Sequence, residues 1–142
     1  MASVIFHSFN KITETGEMGL FKSYKEGYED GGQLRDFVYV KDICKVIRYM
    51  IEHEEVSGLF NLGTGQARSF YDLAASTFRA MGLEPNIKYV EMPETLRAKY
   101  QYYTQANMEK LRSVGYTDAF YSLEDGAKDY VQNYLMKNYE IY

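Results

Sequence analysis

The sequence predicts an α/β fold in which short strands alternate with helices and do not amount to a complete doubly wound sheet. Three observations predict it. Apolar residues recur at helical spacing in several separate segments, short β-branched or aromatic runs lie between them, and Gly, Pro or cap-forming residues mark most junctions. A chain of 142 residues with 46% hydrophobic and 25% charged residues fits one packed domain and gives no sign of disorder or of a fibrous repeat.

From the amino terminus, Val4, Ile5, Phe9 and Ile12 share one helical face, with Ser3, His7 and Asn10 on a neighbouring polar one, so a helix is expected over 2–15. That helix lacks an evident cap and starts on Met-Ala, which predicts a chain continuing upstream in a longer parent. The segment 16–32 reads as a surface loop carrying one short strand at Leu20 and Phe21. Phe37-Val38-Tyr39-Val40 reads as a strand. Asp42 is then expected to cap a helix whose apolar face holds Ile43, Val46, Ile47, Met50 and Ile51.

A further strand is expected from Gly58 to Gly63, ending in a turn at Gly63-Thr64-Gly65, and Ser69 then caps a helix through Met81 that Gly82 stops. Ile87 to Met92 alternates as a strand and Pro93 breaks it. Asn107 to Ser113 predicts a short helix, and Ser122 caps a final one running to Lys137, with Glu124 and Asp125 favouring the positive end of its dipole. Four short strands are few for a self-sufficient sheet, so some are expected to pair with strands outside this chain.

Composition narrows the function. The net charge is −4 and the basic residues are dispersed, which argues against a surface that tracks nucleic-acid phosphates. No apolar stretch approaches the ~20 residues needed to span a bilayer, and no signal-peptide pattern opens the chain, so the cytoplasm is the expected compartment. The single Cys44 and two histidines, His7 and His53, offer neither a disulfide nor a ligand-spaced metal set, and Cys44 is expected to be an inert buried thiol. The 15 Tyr and 8 Phe suit either a sugar-binding cleft or ordinary packing, because a phenol combines an apolar ring with a polar tip.

Two motifs carry more. Arg35-Asp36-Phe37-Val38-Tyr39-Val40-Lys41-Asp42 is followed, one helix later, by Phe60-Asn61-Leu62-Gly63-Thr64-Gly65. This ordered pair resembles the extended short-chain dehydrogenase/reductase enzymes that act on nucleotide sugars. Met1-Ala2-Ser3-Val4 followed by Phe6-His7, and Lys99-Tyr100-Gln101 followed by Thr104-Gln105-Ala106-Asn107, resemble the ADP-heptose epimerase branch of that family. The resemblance extends from Met1 to about Leu135 and leaves the tail 136–142 unplaced.

The resemblance implies a substrate-binding set of His7, Phe21, Lys22, Ser23, Tyr24, Arg35 and Tyr100. Arg35 would take the diphosphate, because a guanidinium fork meets two phosphate oxygens at once. His7 would contact the sugar side, and the Tyr100 ring would stack while its hydroxyl bonds a sugar or a phosphate. The loop from Phe21 to Tyr24 would face the nucleotide, although Lys22 and Ser23 depart from the F-E-G-S of the branch. Asp36, Asp42, Asn61 and Gly63 read as structural.

No catalytic, cofactor-binding or metal residue is expected in this chain. The sequence has no G-x-x-G-x-x-G turn to cradle a pyrophosphate and no Y-x-x-x-K. The resemblance therefore implies the carboxy-terminal, substrate-binding part of an NADP-dependent epimerase of lipopolysaccharide core synthesis. Its expected partners are an ADP-sugar, an amino-terminal Rossmann domain and copies of itself. A 4-epimerase or 4,6-dehydratase of the same family, or a stand-alone nucleotide-sugar-binding module, is the alternative.

Overall fold

A computed structural model describes residues 3–137. Met1 and Ala2, where the first helix was expected to begin, and residues 138–142 of the unplaced tail lie outside the described residues.

The first helix, α1 (Val4–Thr15), is capped after all. Ser3 is extended and its hydroxyl accepts from the Phe6 N–H at 3.1 Å. The uncapped start expected from the sequence is corrected, because the helix begins at Val4, leaving a serine in the cap position. Gly16 ends it in the left-handed region at φ 69°, its N–H bonding the Ile12 carbonyl.

Strand β1 (Met18–Phe21) follows as expected, and β2 (Leu34–Arg35) comes earlier than the strand read at Phe37 to Val40. That run forms no ladder, and Val40 already opens α2 (Val40–Glu52). Asp42 is correspondingly not the cap. It lies in the first turn, fully buried, and accepts from the Tyr121 N–H at 2.8 Å and from Lys45 Nζ at 3.0 Å. The expected strand from Gly58 to Gly63 is also not formed. A β-branched or aromatic run makes a strand only where another backbone offers its hydrogen bonds, and none of the described residues does so here.

After β3 (Arg68–Ser69), α3 (Phe70–Ala80) starts from a full capping box. The Ser69 hydroxyl accepts from the Asp72 N–H while the Asp72 carboxylate accepts from the Ser69 N–H. Gly82, at φ 74°, follows the last turn as expected. Strand β4 (Ile87–Val90) stops two residues short of Met92, and a four-residue α4 (Glu94–Arg97) that the sequence did not suggest grows from Pro93. Helix α5 (Glu109–Ser113) starts two residues later than read. The expected final helix divides into α6 (Leu123–Tyr130), capped by Ser122, and a π-helical turn (Val131–Leu135).

Two small sheets result. Strand β1 pairs in parallel with β4, Leu20 opposite Tyr89, and β2 pairs antiparallel with β3, with Leu34 also bridging Tyr103. Helix α3 is the hub, packed against α1, α6 and β1. At its end Gln132 Nε2 donates to the Ala80 carbonyl at 2.9 Å, and Val131 and Leu135 close on Ala80, Ile5 and Phe9. A second core joins α2 to α5 through Val46, Leu111 and Tyr116. Cys44 is exposed on α2, correcting the buried thiol expected from its apolar neighbours.

Candidate functional site

A cavity of about 170 Å³ opens between α1, β1 and the start of α3, with Phe21, Tyr100, Phe70 and Leu73 in its wall. Gln33 fixes one side of it. Its side chain is almost wholly buried, and its Nε2 donates to the carbonyls of Phe21 and Lys22 at 3.3 and 3.4 Å. Pinning that backbone sets the aromatic edge: the Phe21 and Tyr100 rings meet nearly perpendicular, 6.1 Å apart. Burial raises the Tyr100 phenol above its ordinary pKa, with Arg35 pulling it part of the way back.

Arg35 lies beside this edge. Its guanidinium carbon is 5.7 Å from the centres of both the Phe70 and Tyr100 rings. Nη1 donates to the Leu34 carbonyl at 2.7 Å and Nη2 to the Gln101 carbonyl. Neutral carbonyls orient the group without cancelling its charge, and its remaining N–H donors are open to an anion. Neither nearby acid pairs with it. Asp30 accepts from the Ser23 N–H at 2.7 Å, and Asp36 is committed elsewhere.

Asp36 organises the Gly63-Thr64-Gly65 turn. Its carboxylate accepts from the backbone N–H groups of Thr64 at 2.7 Å, Gly65 at 2.9 Å and Ala106 at 3.0 Å, and from the Thr64 hydroxyl. Burial pushes its pKa up, but the Thr64 hydroxyl and these amides outweigh it and hold the carboxyl below its usual value. A Cβ on Gly63 would fall 2.5 Å from Asp36 Oδ2 and 2.7 Å from Ala106 Cβ, so the close approach needs glycine. The structural reading of Asp36 and Gly63 holds. The same geometry tests the turn as a phosphate cradle: its amides already serve a carboxylate, so this turn does not fit a phosphate as it stands.

The remaining predicted residues divide. His7 is exposed on α1, its ring edge-on to Phe6, and Val4 and Ser8 on the same side of the helix line the cavity. Lys22 and Tyr24 turn to a different cluster. Lys22 pairs with Glu91 at 2.6 Å, the Tyr24 hydroxyl also donates to Glu91, and Arg97 covers the Tyr24 ring at 3.8 Å. The Ser23 hydroxyl donates to the Lys25 carbonyl within its own loop. Thus Phe21, Arg35 and Tyr100 converge, His7 is exposed on α1 and is not among the residues lining the cavity, and Lys22, Ser23 and Tyr24 are engaged locally. Gln33, Phe70 and Ser8 belong to the site but carried no sequence signal beyond their nearness to β2, the Ser69 cap and His7. Among the described residues no group of three His, Cys, Asp or Glu could hold a metal ion, and no helix is long and apolar enough to cross a membrane.

The fold and motifs define a class. Residues 1–63 match the NAD dependent epimerase/dehydratase family, which bears out the resemblance drawn from the two motifs. Along 96% of its length the chain is 52% identical to the ADP-L-glycero-D-manno-heptose-6-epimerase of Fusobacterium nucleatum subsp. nucleatum. It spans 43% of that relative, less than half the length of the curated proteins it matches. In structure it is similar to the Helicobacter pylori ADP-L-glycero-D-manno-heptose-6-epimerase, with a TM-score of 0.69 at 27% identity, over 94% of this chain and 38% of that one. The dTDP-glucose 4,6-dehydratase of Bacillus anthracis, solved with NAD, shares the fold with a TM-score of 0.72 at 22% identity, over 97% of this chain and 40% of that one.

Proposed function

We propose that this chain is the substrate-binding part of an epimerase that inverts C6″ of an ADP-linked glycero-manno-heptose, in the synthesis of the lipopolysaccharide inner core. The observation that carries the reading is Arg35 set against Tyr100, which together with Phe21 walls one cavity, within a chain half-identical to relatives named for that reaction. Arg35 takes the diphosphate, Tyr100 and Phe21 shape the apolar wall, and His7 approaches the sugar from α1. Lys22 and Tyr24, with Ser23 between them, complete the nucleotide side once the Glu91 contacts of the first two exchange for ligand. NADP, a cytoplasmic setting and a homo-oligomeric parent belong to the same proposal. The reading assigns the nicotinamide cofactor to a partner domain of the parent, and the Gly63-Thr64-Gly65 turn, its amides taken by Asp36, supports it by offering no phosphate cradle here.

Calorimetric titration of ADP against the chain and its Arg35→Ala variant tests this. Loss of a charge-assisted diphosphate contact is expected to weaken binding by about 2–4 kcal/mol. Arg35→Lys should recover little, because an ammonium cannot reproduce the fork. ADP affinity within twofold of the parent chain in Arg35→Ala would remove Arg35 as the anchor.

A further inference from the structure

Ser8 is an anomaly in α1. Its side chain is fully buried, yet its hydroxyl has no hydrogen-bond partner. A serine inside a helix ordinarily donates back to the carbonyl four residues earlier or turns to water. This one does neither, and buried hydroxyls without partners are rare in folded proteins. Ser8 also lines the cavity whose other walls include Leu20, Phe21, Phe70, Leu73 and Tyr100.

We propose that Ser8 reads the nucleobase: its hydroxyl hydrogen-bonds the ring edge of a purine that enters the cavity while the attached diphosphate meets Arg35. The inference rests on the nucleotide-sugar reading above and adds the residue that senses the base. Size supports it, since about 170 Å³ corresponds to roughly five or six waters, room for a two-ring heterocycle and not for a whole nucleotide sugar. Chemistry supports it too. Aromatic and aliphatic walls suit a flat ring better than a hydroxylated sugar or a phosphate. A hydroxyl both donates and accepts, so it can answer either a ring nitrogen or an exocyclic amino group. The cation lies 5.7 Å from the centres of the Phe70 and Tyr100 rings, which both wall the cavity, so a diphosphate attached to the base has a cation next to that wall.

The test titrates ADP, UDP and inorganic pyrophosphate into the chain and into its Ser8→Ala, Ser8→Val and Arg35→Ala variants. Ser8→Ala is expected to weaken ADP about fivefold to tenfold, the range for one lost hydrogen bond, and to leave pyrophosphate unchanged. Ser8→Val narrows the cavity and should weaken ADP further while sparing pyrophosphate. Arg35→Ala should weaken both. Thermal unfolding without ligand separates a base reader from a structural serine. Removing an unanswered buried hydroxyl should leave the unfolding temperature unchanged or raise it, whereas loss of a structural contact would lower it. If ADP binds Ser8→Ala as tightly as the parent chain while Arg35→Ala fails, the Ser8 assignment is wrong and the site reading stands. If the parent chain binds neither ADP nor pyrophosphate, both fall.

Discussion

Helices α2 and α3 have similar lengths and similar apolar content, yet they are used in opposite ways. In α3, Leu73, Ala74, Ala75, Ser76, Thr77, Phe78 and Ala80 are all buried, because α1, α6 and β1 enclose it. In α2 the fully buried residues are Asp42 and Val46, while Val40, Ile47 and Ile51 are 59%, 53% and 70% exposed. With the exposed Cys44, these three fall four, three and four residues apart, a single stripe along one side of the helix. Helix α2 thus has one apolar side on the Val46, Leu111 and Tyr116 core and a second side facing outward. The contrast teaches that periodicity reports which face of a helix is apolar, and a helix with two such faces is built for two neighbours.

The largest effect expected from this contrast is in α3. Phe78→Ala removes a ring that is 1% exposed and should cost about 3–5 kcal/mol in denaturant unfolding, against less than about 0.5 kcal/mol for Ile47→Ala. Comparable losses would mean that α2 is enclosed after all. Next in size is association. Because an uncovered apolar stripe favours self-contact, the chain should form dimers or larger species as its concentration rises, and Ile47→Lys with Ile51→Lys should return it to monomer. Sedimentation across a wide concentration series that shows only monomer for the parent chain would break the contrast.

The smallest effect concerns the link between the two regions. Asp129 on α6 accepts from Lys41 Nζ and from the Tyr39 hydroxyl, each at 2.6 Å, at the start of α2. Burial raises the Asp129 pKa, but its bonds from Lys41, Tyr39 and Asn133 prevail and hold the carboxyl at about 2, against an ordinary 3.8. Since the folded value is the lower one, the contribution to stability is complete above about pH 4 and is lost as the pH falls towards 2. Asp129→Asn should flatten the acid limb of a stability-against-pH curve over that window. An unchanged limb would show that the link carries no net stability.

What the sequence made legible follows the range of the interactions. Ser69, Gly82 and Ser122 act through backbone groups a few residues away, and their roles were readable. Asp42 was misplaced because its partner, the Tyr121 N–H, is distant in sequence, and nothing in an R-D-F-V-Y-V-x-D run reveals it. The Phe37 to Val40 run has strand propensity without a strand partner. At the site, the motif pointed to Arg35 and the resemblance to Phe21 and Tyr100. Gln33, Phe70 and Ser8 acquire meaning only from a cavity that residues distant in sequence enclose.

The Asp36 carboxylate in the Gly63-Thr64-Gly65 turn has an implication for selectivity. Three converging amides would make a receptor for any passing phosphate, and the chain has filled that receptor with a counter-charge of its own. A decoy anchoring point is thereby silenced, and under the proposed function an arriving diphosphate is left to the guanidinium beside Tyr100. Unplugging it with Asp36→Ala would give the molecule two rival berths for the same anion.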